Sequence, residues 1–493
     1  MSGEILTMAE AGEDKRPGRP VRRNYVFRAA HWLKDAETEI GAAYGKGDLP
    51  GLSRLLVRRL GLGTGEGAPE ALPLQITHRP LQDWDLYLPG DRPTADALPG
   101  QREKAADAAL AIRFPSEEAA EAFRTKAEAA LGPFDEAVGD IRIRPALHWG
   151  PGRGEGDAFG GLEDALRLIR ADALAAGHLD GSGVKVVVID QGVDASRLPP
   201  GTTFLGGWWK PSWPGAVPPG QAAKDNRHGT MIARNVLALA PKAMILDCPL
   251  IPPRITANLP AFLSDAFGAI TRIALDIVLL GLINPKVYKG RWVLVNAWSI
   301  YDPRGEAYPG EYTKNRYHWV ACAVDIAAKV ADVVFAAGNC GQFCPDGRCA
   351  EEVIGPGRSI LGANSLDSVL TVGAVRADGI WNGYSSQGPG QFSDYLGQPQ
   401  LKPDLAAPAH FRVPDTAHRL AAGSSAASAI AAGAVAALRT KWDDTALPSD
   451  VLFDRLRQSA WQPDGSSGWN ERHGHGILDC RAALASLAGV PVP

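Results

Sequence analysis

Four positions in this chain combine residue types that could carry out acyl transfer. In "VKVVVIDQGVD" (184–194) five apolar residues in six positions lead to Asp190, placing a carboxylate where a strand buried on both faces leaves its sheet. In "DNRHGTMIARNVLALAP" (225–241) His228 opens a helical run, and a helix amino terminus disfavours the imidazolium, as suits a neutral base. In "AAGSSAASAIAAG" (421–433) three serines crowd the mouth of an Ala-rich helix, where unpaired N–H groups and positive potential meet. "ADVVFAAGN" (331–339) reads as another buried strand, ending at Asn339, whose amide could donate to a developing oxyanion. Each has a plainer reading alone: Asp190 as a turn aspartate before Gly192, His228 and a serine as helix caps. Together they supply an orienting carboxylate, a base, a nucleophile and an oxyanion donor.

Such groups need a scaffold that gathers strand ends and helix starts at one edge. From residue 162 onward short apolar runs alternate with helical stretches, which predicts a three-layer α/β domain with a mostly parallel central sheet flanked by helices. Open parallel sheets place their sites at the carboxyl ends of the strands, where Asp190 and Asn339 fall. Before it, residues 22–150 read as a small α+β domain with ferredoxin-like order. Its strands are expected over 23–30, 72–81, 108–114 and 140–149, and its helices over 50–62 and 115–131. Residues 1–21 read as a flexible tail and 151–161 as a Gly-rich linker. Gly152, Gly154 and Gly156 follow no strand into a phosphate-binding turn, which argues against a dinucleotide site.

The 493 residues, 45% hydrophobic, support a large core and more than one domain. A net charge of -4 offers no broad basic field for nucleic acid, and no run of about 18 apolar residues is expected to span a bilayer, so neither nucleic acid nor membrane is an expected partner. The amino terminus lacks the pattern of a secretory signal, which predicts cytoplasmic residence with export by another route left open. Six cysteines in a chain this long are not a disulfide framework.

Residues 162 to about 485 resemble the subtilisin-like serine proteases (subtilases). "SGVKVVVIDQGVD" is similar to that family's aspartate motif, "HGTMIA" to its histidine motif, "FAAGN" to its oxyanion motif and "GSSAASAIAAG" to its serine motif, in the family's order. "VLTVGAV", "YSSQGP", "KPDLAAP" and "HGHGILDCRAA" resemble structural landmarks between and after them. The resemblance implies a serine endopeptidase acting on protein or peptide through an acyl-enzyme. Ser425 would be the nucleophile, His228 the base and then acid, Asp190 the imidazole orienter and Asn339 the oxyanion donor. Ser424 takes the place of the family's threonine, and Ser428 falls in the first helical turn. "VNAWSIYDP" (295–303) stands where the family binds an extended peptide, so Trp298, Ser299 and Gly338 are the implied substrate-binding residues. Trp298 replaces a small residue there, which predicts a narrowed subsite unless the indole packs inward.

Gln191, Met231, Ala426 and Ala429 also depart from the family pattern, but none removes a catalytic atom. The altered residues keep a non-catalytic binding protein open as an alternative, beside a dedicated processing protease or acyl transferase acting on one partner polypeptide. The resemblance further suggests residues 22–150 as a propeptide-like or regulatory domain that inhibits the site intramolecularly. No cofactor is expected; structural calcium is common in the family, but no stretch displays a readable calcium loop. Cys340, Cys344 and Cys349 cluster just after Asn339, compatible with a loop-closing disulfide and, for want of a fourth ligand, poorly suited to zinc. Trp208, Trp209 and Trp213 are expected to pin their loop to the body rather than line a groove.

Overall fold

The computed structural model describes residues 21–27, 70–71, 75–76, 108–114, 116–131, 135–137, 142–145 and 158–490, the last range apart from 211–216, 224–227, 253–261, 307, 393–396 and 414–419. The chain divides into two compact units, residues 1–85 with 93–139, and 86–92 with 140–493.

In the first unit, β1 (Val21–Phe27), β2 (Glu70–Ala71), β3 (Gln75–Ile76), β4 (Ala108–Phe114) and β5 (Asp135–Ala137) form an antiparallel sheet, with β4 between β1 and the short β2 and β3. Helix α1 (Glu117–Leu131) follows β4, and its Phe123 ring meets Phe114 at 5.2 Å. The helix expected over 50–62 lies outside the described residues, as do the tail 1–20 and most of the linker.

The second unit holds β6 (Arg142–Pro145), β7 (Lys185–Asp190), β8 (Phe204–Gly207), β9 (Met244–Pro249), β10 (Trp292–Asn296), β11 (Trp298–Asp302), β12 (Asp332–Ala336), β13 (Leu370–Val375) and β14 (Leu405–Pro408). Its helices are α2 (Leu162–Leu168), α3 (Asp172–Ala176), α4 (His228–Leu239), α5 (Phe262–Ile283), α6 (Pro285–Tyr288), α7 (Trp319–Ala327), α8 (Gly423–Arg439), α9 (Ser449–Ser459) and α10 (Cys480–Ser486). Seven strands form one sheet in the order β14-β13-β12-β10-β7-β9-β8, every neighbour parallel. Strands covered on both faces read as unbroken apolar runs, and "KVVVID", "WVLVN" and "DVVFA" are buried at every position.

Because side chains alternate across a strand, Val186, Val188, Val293, Val295 and Val334 face one layer, sharing a core with α4 and α8. Phe335 faces the other, its ring 5.3 Å from Trp298, which in turn meets Phe262 at the start of α5. Helices α4 and α8 cross closely because Gly433 has no side chain: a Cβ there would stand 2.9 Å from the Val236 carbonyl oxygen. His228 at the start of α4 meets Asp190 at the carboxyl end of β7, and Ser425 near the start of α8 meets Ala297 just past β10, so both helix starts lie at the same edge of the sheet.

Helix α5 corrects one expectation. It is 22 residues long with a window of mean hydropathy 2.0, long and apolar enough by composition to cross a bilayer; 44% of that window is buried inside the fold. Asp265, Arg272 and Asp276 interrupt its apolar run in the sequence, which hid it. Phe267 of α5 packs on Trp319 of α7 at 4.6 Å, while Leu282 and Ile283 at its end are exposed.

Candidate active site

Sequence order sends the chain from β7 outward through β8 and β9, then back across to β10 on the opposite side of β7. Such a reversal opens a crevice at the carboxyl ends of the two central strands. Asp190 ends β7, and β10 runs into Ala297 and then β11 at that same edge.

Asp190 and His228 are buried, and His228 Nδ1 lies 2.6 Å from Asp190 Oδ1. The Gln191 amide also donates to Oδ1 at 2.7 Å, so the carboxylate is held by its own turn. His228 begins α4, and two small residues let the aspartate turn approach it. Gly192 takes φ +101°, and Gly229 presents no Cβ to the Gly192 carbonyl oxygen, which would otherwise stand 2.4 Å from it. The Asp194 amide then donates to Thr230 Oγ1 at 2.9 Å, tying the aspartate loop to the histidine helix. The Gly and Thr of "HGT" therefore serve the contact between elements rather than helix formation.

Asp247, on β9 beside β7, was not singled out by sequence reasoning because it sits mid-strand in an apolar run. It is fully buried, and its Oδ2 accepts from the amides of Val193 and Gly220 at 2.9 and 3.0 Å. Burial pushes its carboxyl up to about 7, the neighbouring Asp190 adding to the rise.

Ser425 lies in the first turn of α8, after Gly423 at φ +79°. Its hydroxyl donates to the Ala297 carbonyl at 3.0 Å, while His228 Nε2 has no hydrogen-bond partner among the described residues. Ser428 is a local back-bond, donating to the Ser425 carbonyl at 2.9 Å. Ser424 reaches the other way: its amide and hydroxyl donate to Asn339 Oδ1 at 2.9 and 3.0 Å, and its hydroxyl accepts from the Gly338 amide at 3.0 Å. Asn339 is buried beyond the end of β12, with its Nδ2 donating to the Tyr301 hydroxyl at 3.3 Å. Two donors on the oxygen end settle which end of the amide is nitrogen. Gly338, at φ +104°, is hemmed by the hydroxyls of Ser386 and Ser299, which would stand 2.8 and 2.9 Å from a Cβ.

Trp298 contributes backbone to this edge, not a wall. Its indole is fully buried between Phe262 and Phe335, so the bulk expected to narrow a subsite fills the core instead. Strand β11 pairs antiparallel with β6, with Pro145 opposite Trp298, Arg144 opposite Ser299 and Ile143 opposite Ile300. The carboxyl end of β6 therefore lies at the end of β11 that adjoins Ala297, the acceptor of the Ser425 hydroxyl.

After Asn339 the loop closes through a Cys340–Cys349 disulfide with a Cα separation of 5.8 Å, leaving Cys344 free. Cys248 and Cys480 are buried free thiols, and Cys322 is half-buried. Among the described residues no group of three or more His, Cys, Asp or Glu could hold a metal ion. The indole of Trp208 donates to Asp276 of α5 at 2.8 Å, anchoring its loop; Trp213 lies outside the described residues.

Several solved structures are similar to this chain. Fervidolysin from Fervidobacterium pennivorans, a keratinolytic enzyme related to subtilisin, has 15% sequence identity and a TM-score of 0.51, over 99% of this chain and 63% of its own. MycP1 from the ESX-1 type VII secretion system has 19% identity and a TM-score of 0.43, over 71% of this chain and 90% of its own. The MycP3 protease from the ESX-3 system has 19% identity and a TM-score of 0.42, over 71% of this chain and 94% of its own. No curated protein shows significant sequence similarity. A sequence model described as the subtilase family matches residues 181–476, more than half of the chain and all of the sheet that carries the site. The chain belongs to the subtilase family and is a serine-type peptidase.

Proposed function

We propose that this peptidase is an endopeptidase that cleaves through an acyl-enzyme on Ser425. The observation that carries the reading is the buried 2.6 Å contact between His228 Nδ1 and Asp190, which leaves Nε2 as the basic nitrogen. Ser425 Oγ turns from the Ala297 carbonyl to Nε2, gives up its proton and attacks the substrate carbonyl carbon. The carbonyl oxygen becomes an oxyanion that takes hydrogen bonds from Asn339 Nδ2 and the Ser425 amide. His228 then passes its proton to the leaving amine as the C–N bond breaks, and water, deprotonated by the same nitrogen, releases the acid. Removing one oxyanion donor typically slows such chemistry by roughly 100- to 1,000-fold.

Substrate would bind as an extended strand beside β11, because backbone pairing gives affinity without demanding one sequence. Residues Arg142–Pro145 already fill that place. We therefore read this segment as an intramolecular inhibitor that must leave β11 before a substrate enters, and the preceding residues as a propeptide-like region. The Cys340–Cys349 bridge favours work in an oxidising compartment over the cytoplasm expected from the amino-terminal composition.

A fluorophosphonate probe tests the chemistry. The wild type should be labelled on Ser425 and Ser425→Ala should not. A protein that stays unlabelled even after its amino-terminal piece has been cut away between residues 146 and 157, under conditions that label a known serine protease, would favour the non-catalytic alternative. Cutting the chain between residues 146 and 157 and removing the amino-terminal piece should speed labelling if β6 inhibits; an unchanged rate would remove the inhibitory role while leaving the chemistry intact.

A further inference from the structure

Tyr301 stands one residue from the end of β11, on the strand read above as the substrate's partner. It is buried, and its hydroxyl accepts a hydrogen from Asn339 Nδ2 at 3.3 Å. The opposite end of the same amide is held by Ser424 through two bonds to Oδ1. A side-chain amide turns about a broad terminal torsion, so an acceptor at one end and donors at the other are what fix its plane. The nitrogen carries two hydrogens, and a bond from one of them to Tyr301 directs the other.

The phenol is itself braced by the loop that follows Asn339. The Arg348 guanidinium lies 4.7 Å from the Tyr301 ring centroid, and Asp346 holds that guanidinium at 2.6 Å through Nε. The Ala350 amide donates to the Tyr301 carbonyl at 2.9 Å, and the Asp346 amide to the Asn339 carbonyl at 2.9 Å. The Cys340–Cys349 bridge closes this loop, so a single covalently tied segment grips the backbone of Asn339 and the ring that receives its side chain.

We propose that Tyr301 is a positioning residue for the oxyanion donor, aiming the Asn339 amide through its hydroxyl from a ring held by the disulfide-closed loop 340–349. This rests on the role read for Asn339 above. A donor fixed before the charge develops costs no reorganisation as it forms, so losing the hydroxyl should act on the transition state and not on substrate binding. Tyr301→Phe removes the oxygen and keeps the ring against Arg348.

The test compares the full chain as wild type, Tyr301→Phe, Asn339→Ala and the double variant. The readouts are the second-order rate of Ser425 labelling by a fluorophosphonate and kcat and KM on a peptide. Tyr301→Phe should lower the labelling rate and kcat by about 3- to 10-fold with KM unchanged, the worth of one ordinary hydrogen bond. Asn339→Ala should lower them about 100-fold or more, and the double variant should match Asn339→Ala alone. A Tyr301→Phe variant at the wild-type rate overturns the proposal, and so does one that slows Asn339→Ala further by its own full factor, since a general structural effect would add. A wild type that stays unlabelled both intact and after removal of its amino-terminal piece instead removes the acyl-enzyme reading, and with it this inference. A labelled wild type with an unaffected Asn339→Ala removes the role of Asn339.

Discussion

Gly229→Ala should separate the geometry of the site from the stability of the fold. The new methyl would stand 2.4 Å from the Gly192 carbonyl oxygen, 2.8 Å from its carbon and 3.2 Å from its nitrogen. Ordinary contact begins near 3.4 Å, so the aspartate turn or the start of α4 must shift by about 1 Å. The turn cannot yield freely, because Val193 is bonded to Asp247 and Asp194 to Thr230, both at 2.9 Å. The displacement therefore falls between Asp190 and His228, and an error of about 1 Å in a reacting constellation costs on the order of 100-fold in rate. Overpacking should also remove about 1–3 kcal/mol of stability. The assay is fluorophosphonate labelling and peptide hydrolysis, on protein shown to be folded by its melting curve. Gly281→Ala on α5 is the control: its methyl would meet nothing nearer than 3.8 Å and should leave the rate unchanged while stabilising the helix by about 0.5–1 kcal/mol. If Gly229→Ala reacts at the wild-type rate, the close approach of turn and helix does not set the Asp190–His228 geometry, and the reasoning is refuted.

Asp247→Asn should change how stability depends on pH. With its folded pKa of about 7 above the usual 3.8, the native state holds the extra proton between about pH 4 and 7, and the wild type loses stability as pH rises through that window. The melting temperature of Asp247→Asn should therefore gain on the wild type from about pH 4 to 8; parallel curves would contradict the raised value. Asp332→Ala leaves Arg439 buried without the carboxylate it now meets at 2.6 and 2.7 Å, and should cost about 3–5 kcal/mol in urea unfolding, whereas a loss below about 1 kcal/mol would show that the cation finds water. The Cys340→Ser/Cys349→Ser variant, opening a loop of sequence separation 9, should lose about 2–3 kcal/mol and label more slowly. Loss of stability without slower labelling would detach the loop from the oxyanion side of the site.

Asp190, His228, Ser425 and Asn339 were legible in the sequence because each closes or opens a strongly patterned element, and such ends converge in a parallel sheet. The sheet itself was legible from runs such as "KVVVID" and "DVVFA", which only burial on both faces explains. Trp298 was ambiguous because a shift of one residue moves a side chain to the other face of a strand, and no local pattern decides that. The disulfide partner of Cys340 was open among neighbours, and Cys349 was selected by the path of the loop.

What the sequence determined by itself, then, is the set of reacting groups and the type of scaffold, since local periodicity and element ends encode both. What only the tertiary structure decided are contacts between segments far apart in the chain: Asp247 under the aspartate turn, Tyr301 on the Asn339 amide, and β6 along β11. No propensity or spacing encodes these, because they depend on where whole elements come to rest after the core has packed.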